Sequence, residues 1–174
     1  YPAFPYSHYE GLTDADVLDI KAYLMTLPGV QAEPANTNLP FPFSIRRGLG
    51  LWKRANAIHT QQQQPTGSER GRYLVEHAAH CGACHTPRNI IYALDRSRNF
   101  EGAVSFEGWT APPITPERLK LAGEEVFVDG VLAYGLRLDG SALSEPAMID
   151  VVDQTRRLTR EDRKAIYNYL ISIE

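Results

Sequence analysis

Cysteine and methionine are both scarce in this chain, two of each among 174 residues. Clustered Lys and Arg are missing too. Pairs such as Arg46-Arg47 and Arg156-Arg157 stand alone, and the formal charge is −3. No basic track exists to follow a phosphate backbone, which argues against a nucleic-acid partner. Nowhere do about 18 apolar residues run together, so no segment reads as a bilayer-spanning helix. The opening YPAFPYSHYE has neither the basic start nor the apolar stretch of a signal peptide. The expectation is that targeting was removed earlier or that the chain is a fragment. What remains is ordinary for a globular protein, with 43% hydrophobic and 22% charged residues. Twelve prolines and thirteen glycines suggest loops and helices rather than a regular sheet.

Against that background one stretch stands out. HAAHCGACHTPRN, residues 77–89, holds both cysteines and three of the five histidines. Cys81-Gly-Ala-Cys84-His85 is C-x-x-C-H, the attachment pattern of a c-type haem. The spacing has a physical reason. Two thiols three residues apart on a helical turn can each add to one porphyrin vinyl group. His85 then presents its imidazole to the iron from the same side, and small Gly82 and Ala83 let the backbone lie close to the macrocycle. Three other readings compete. A thioredoxin-like dithiol expects a βαβ context and a helix that starts at the cysteines. Here the helical stretch GRYLVEHAAH runs into them. A zinc site would crowd Cys81, Cys84 and His77, His80 or His85 into nine residues, where structural zinc usually draws on separated pairs. The third is a Cys81–Cys84 disulfide. His77 and His80 read as surface histidines.

A haem iron takes a sixth ligand, and His/Met ligation is the common choice for electron transfer. Met25 lies in the helical stretch DIKAYLMTLP and reads as filler. Met148, in the proline-containing LSEPAMIDVV, reads as a loop position able to reach the face opposite His85. The alternative is a buried methionine, with the iron left open or bound by another side chain.

Downstream, LTREDRKAIYNYLISIE predicts a helix. Thr159 is its N-cap, Glu161 and Asp162 complement the dipole, and Ile166, Tyr169, Leu170 and Ile173 form one apolar stripe. A second helix, Glu69 to His80, carries Tyr73, Leu74 and Ala78, and the two can cross to close a haem pocket. Residues 86–145 read as a loop-rich middle. The beginning echoes the end: residues 2–28 and 146–174 both run Pro-Ala, then Leu-Thr, an acidic first turn, and Ile and Tyr-Leu at matching helical positions. Residues 1–30 are therefore expected to be the C-terminal tail of an upstream cytochrome domain. Phe4 stands where the second copy has Met148, so His8 is a speculative ligand of that upstream haem. Residues 31–66, with QAEPANTNLPFPF and QQQQPTGS, read as a Pro/Gln-rich connector. Within it SIRRGLGLWKRANAIH is a short helix or turn, and Trp52 packs onto a neighbouring domain.

The stretches YPAFPYSHYEGLTDADVLDIKAYL, LPFPFSIRRGLGLWK, GRYLVEHAAHCGACHTPRN, EGWTAPPIT and PAMIDVVDQTRRLTREDRKAIYNYL cover nearly the whole chain. In them it resembles the multihaem cytochrome c subunit of membrane-associated bacterial dehydrogenases of the alcohol, aldehyde and gluconate type. The resemblance implies an all-α, class I cytochrome c fold for residues 67–174, with one covalently attached haem c. It also implies a periplasmic electron carrier, itself no enzyme. Such a carrier passes single electrons from a dehydrogenase catalytic subunit, through other cytochrome domains, towards quinone or a terminal oxidase. Any membrane association would come through partners or missing segments. Residue by residue it implies thioether links at Cys81 and Cys84, His85 as proximal and Met148 as distal iron ligand. The Pro112 carbonyl would accept from the proximal imidazole, with Trp109, Arg88 and Tyr73 near the propionates or haem edge. Three departures stand against it: Phe4, Pro113 where Asn is typical, and the absence of an upstream CxxCH and of a third domain. No nucleophile–base constellation or Gly-rich phosphate loop is visible, which fits a carrier. Two further readings remain: a haem enzyme or gas sensor with a displaceable sixth ligand, and a small zinc-binding interaction module.

Overall fold

A computed structural model describes residues 5–33, 41, 44–55, 68–104 and 108–173. Phe4, with the Pro2-Ala3 pair of the repeat, and most of the expected connector lie outside them. The chain forms two compact units, residues 1–64 and 65–174. Among the described residues no helix is long and apolar enough to cross a membrane.

The first unit holds α1 (Tyr6–Tyr9), α2 (Asp14–Leu24) and α3 (Gly48–Ala55). Thr13 caps α2 by accepting the Asp16 amide at 3.1 Å, and Asp14 and Asp16 lie in the first turn. None of the eleven residues of α2 is buried. Met25, its C-cap, is 77% exposed, so it fills no core. Trp52, on α3, is half-buried.

The second unit is built mainly of helices: α4 (Ser68–Tyr73), α5 (Gly82–His85), α6 (Pro116–Ala122), α7 (Leu132–Tyr134), α8 (Pro146–Thr155) and α9 (Arg160–Ser172). Wider π turns follow α4 at Leu74–Ala78 and precede α7 at Val126–Val131. The described strands are β1 (Ala103–Val104) and β2 (Thr110–Ala111), paired antiparallel with Ala103 opposite Ala111.

Helix α9 forms as its sequence dictates. Thr159 accepts the Asp162 amide at 3.1 Å, and Glu161 and Asp162 occupy the first turn. The expected apolar stripe is present, with Ile166 and Leu170 buried and Tyr169 and Ile173 half-buried, and Tyr167 joins the buried side. That face packs along α4. The crossing is close because Gly71 has no side chain: a Cβ there would stand 2.0 Å from the Ala165 carbonyl oxygen. Arg70 fastens the same crossing from outside with two bonds to the Asp162 carboxylate, 2.8 and 3.1 Å. Inward lies one core of Leu74, Val75, Phe100, Leu119, Phe127, Val128, Val131, Leu132, Ile166, Tyr167 and Leu170. Helix α8 joins it through Met148, which packs against it, and through Thr155, whose hydroxyl donates to the Leu132 carbonyl at 2.8 Å.

Three expectations are corrected here. Met148 lies in the first turn of α8 rather than in a loop, because Pro146 begins the helix instead of interrupting it. His77 is buried, 2% exposed, and His80 half-buried, so neither is a free surface histidine. The helix expected over Glu69–His80 turns π after Tyr73 and ends before the cysteines, with His80 at φ 40°.

Candidate haem-attachment site

The cysteine motif forms its own short turn. The Cys81 amide donates to the Val75 carbonyl at 2.9 Å, which ties the motif to the preceding π turn. The His85 amide then donates to the Cys81 carbonyl at 3.0 Å and that of Thr86 to Gly82 at 3.1 Å, closing α5. Both cysteines are free thiols. The Cys81 thiol is pushed up to about 12, by burial first and then by the nearby Glu76 carboxylate. Desolvation also raises Cys84, with the Arg88 charge opposing it.

His85 is held twice from the opposite side of the loop. Its Nδ1 lies 2.7 Å from the Pro112 carbonyl oxygen. A carbonyl can only accept, so Nδ1 carries the proton and Nε2 keeps its lone pair. The His85 carbonyl in turn accepts the Gly102 amide at 2.8 Å. Gly102 and Pro112 lie directly beside the paired strands, next to Ala103 and Ala111, so the small ribbon sets both contacts. Gly102, at φ 87°, approaches so closely that a Cβ would meet the Ala111 carbonyl oxygen at 2.7 Å. Burial lowers the pKa of His85 and favours neutral imidazole, against the raising effect of the Pro112 bond. The set presented is two thiols and a neutral imidazole with a free Nε2, which fits a thioether-linked haem with histidine on the iron.

Sequence reasoning missed three supports. Thr86 is buried, and its hydroxyl accepts the Phe100 amide at 3.1 Å. Phe100, itself at φ 61°, lays its ring against Gly82, where an added Cβ would lie 3.6 Å from it. Gly102 is the third. The available signal was the Gly102–Ala103 pair before a short alternating run, too brief to read as a strand.

The other expected residues are placed as follows. Met148 is half-buried and packs against the core. Tyr73 is 6% exposed, its ring tilted against His77 with centroids 6.1 Å apart. Arg88 is exposed and engaged in its own turn: it donates to the Tyr92 carbonyl at 3.1 Å and lies 5.3 Å from that ring's centroid. Trp109, just before β2, is 36% exposed. His8 is buried within the first unit, 3% exposed. Among the described residues, no group of three His, Cys, Asp or Glu side chains is placed to hold a metal ion.

The chain is similar to cytochrome subunits of dehydrogenases and to a diheme cytochrome c-type protein. The chain is 48% identical to the fructose dehydrogenase cytochrome subunit of Gluconobacter japonicus, over 99% of its own length and 37% of that protein. It is 40% identical to a diheme cytochrome c-type protein of Cereibacter sphaeroides, over 98% of itself and 58% of the relative. With the gluconate 2-dehydrogenase cytochrome c subunit of Pantoea cypripedii it shares 34% identity, over 99% and 42%. The chain thus spans between about a third and three-fifths of these relatives. No protein-family model matches it.

Proposed function

We propose that the second unit is a haem c electron carrier serving a dehydrogenase. Cys81 and Cys84 would hold the porphyrin through sulfur, and His85 and Met148 would ligate its iron. The bond from His85 Nδ1 to the Pro112 carbonyl carries this reading: it leaves the Nε2 lone pair to bind a metal, on the same short turn as two free thiols. When bound, the haem supplies a one-electron ferric/ferrous couple. The residues orient it. The Pro112 carbonyl fixes the His85 tautomer and raises its basicity, and the Gly102 amide holds the main chain of the same residue. Trp109, Arg88 and Tyr73 are proposed to border the haem edge or propionates.

By likeness to the cytochrome subunits named above, the electron source is proposed to be a dehydrogenase catalytic subunit; an acceptor that is quinone or a terminal oxidase, and a periplasmic compartment, are proposed from the resemblance given in the sequence analysis. The first unit is proposed to end a second cytochrome domain, with residues 1–30 as its tail and His8 a candidate ligand there. Support comes from the Thr13 cap, which repeats that of Thr159, and from the uncovered apolar side chains of α2.

The test is an alkaline pyridine haem spectrum with protein quantitation, on material from a host that matures c-type cytochromes. One haem per chain, lost in C81A/C84A, is the expected result; a colourless wild-type protein overturns the proposal. Met148→Ala is expected to turn the ferric spectrum from low to high spin and to let the reduced form bind carbon monoxide. An unchanged low-spin spectrum removes Met148 from the iron.

A further inference from the structure

The apolar run Tyr-Leu-Val-Glu-His-Ala-Ala places an acid, Glu76, where a core-facing helix has no use for one. At that point α4 gives way to a π turn over Leu74–Ala78, with Glu76 at its centre. Such turns occur mostly as single insertions in α-helices, frequently at functional positions. Glu76 ends 8% exposed, and a carboxylate that far from water needs partners. It has them from two other elements. The Tyr169 hydroxyl of α9 donates to Oε1 at 2.9 Å, and the Arg96 guanidinium lies 3.8 Å from Oε2. The Tyr169 hydroxyl is itself held above its ordinary pKa, by burial first and then by the Glu76 charge.

This cluster adjoins the cysteine motif. Val75, the residue before Glu76, accepts the Cys81 amide at 2.9 Å. The Glu76 charge is felt at the Cys81 thiol, second only to burial. Resting on the haem reading above, we infer that Glu76 is a potential-setting residue. Its buried charge holds down the reduction potential of the group carried by Cys81, Cys84 and His85. The physical reason is simple. The oxidised centre carries one more positive charge than the reduced one, so a nearby carboxylate in a poorly screened interior stabilises the oxidised form. Arg96 opposes it. Its side chain is 42% exposed against 10% for Glu76, so solvent screens the cation more than the anion and the net effect keeps the sign of the carboxylate.

The experiment is a spectroelectrochemical titration of haem-loaded wild type, E76Q, E76D and R96Q, with haem content and thermal midpoint measured alongside. E76Q keeps the volume and an acceptor for Tyr169 but loses the charge, and its potential is expected to rise. E76D is expected to return towards wild type and R96Q to fall below it. Opposite shifts from two partners of one contact are the signature of charge, since loss of packing would move both variants the same way. A fully loaded E76Q at the wild-type potential, or E76Q and R96Q shifting together, overturns the inference. Should E76Q fail to accumulate, R96Q decides: a fall supports it, and no change or a rise overturns it. A wild-type protein without haem fails the underlying reading instead, and the pyridine spectrum detects that separately.

Discussion

Thr13 and Thr159 cap their helices with nearly the same geometry, extended at the cap and accepting the amide three residues on at 3.1 Å in each case. Beyond the first turn α2 and α9 part. Ile166 and Leu170 are 2% and 1% exposed, whereas Ile20 and Leu24, at the matching positions, are 49% and 56% exposed. Capping is settled by a few neighbouring residues, while burial needs a second surface. For α9 that surface is α4, where Gly71 lets the backbones approach. The side of α2 has no such cover among the described residues. A shared sequence signature therefore fixes how a helix starts and leaves open what it leans on.

The sharpest way to break this contrast is a matched pair of truncations. Leu170→Ala is expected to cost about 2–5 kcal/mol, as for buried leucines generally. Leu24→Ala is expected to stay within about 0.5 kcal/mol. Chemical denaturation of the holoprotein measures both, and equal losses would mean that α2 is covered in solution. Next come the caps. Thr159→Ala should cost about 1 kcal/mol by the same measurement. Thr13→Ala should lower the local stability of α2 by a similar amount, read by amide hydrogen exchange. A marked inequality would end the claim that the caps are locally equivalent.

The smallest effect is electrostatic. Hydrogen bonding to Arg70, chiefly, holds the Asp162 carboxyl below the usual carboxylate range. Its folded pKa lies under the unfolded one, so the stabilisation is complete above the unfolded value and is lost as pH falls through the folded value. Melting temperatures across the acid range should decline less steeply in D162N than in wild type. Identical slopes would show that the Arg70 contact is idle.

How much of this could be read beforehand follows from the reach of each interaction. The C-x-x-C-H turn and both threonine caps were legible because their chemistry is complete within five residues. The stripe on α9 was legible from its period, though Tyr167 was not. Met148 falls in a loop only if Pro146 is read as a loop signal, whereas proline also fits the first turn of a helix. His77 was misread because a π turn changes which positions face inward, and nothing in LVEHA announces one. Gly71 gained meaning only against Ala165, far along the chain. Pro112 acts through its main chain, which leaves no side-chain pattern to find; resemblance alone pointed to it.

The contact between Arg70 and Asp162 joins residues 92 positions apart, and Gly71 meets Ala165 at the same crossing. A polypeptide leaving the ribosome cannot form this junction until α9 has been synthesised. Long-range closure of this kind is slow to form, and it keeps intermediates exposed until it is made. The unit thus completes itself only once α9 has emerged, and a nascent chain stopped short of residue 160 would leave the wall behind its cysteines unsupported.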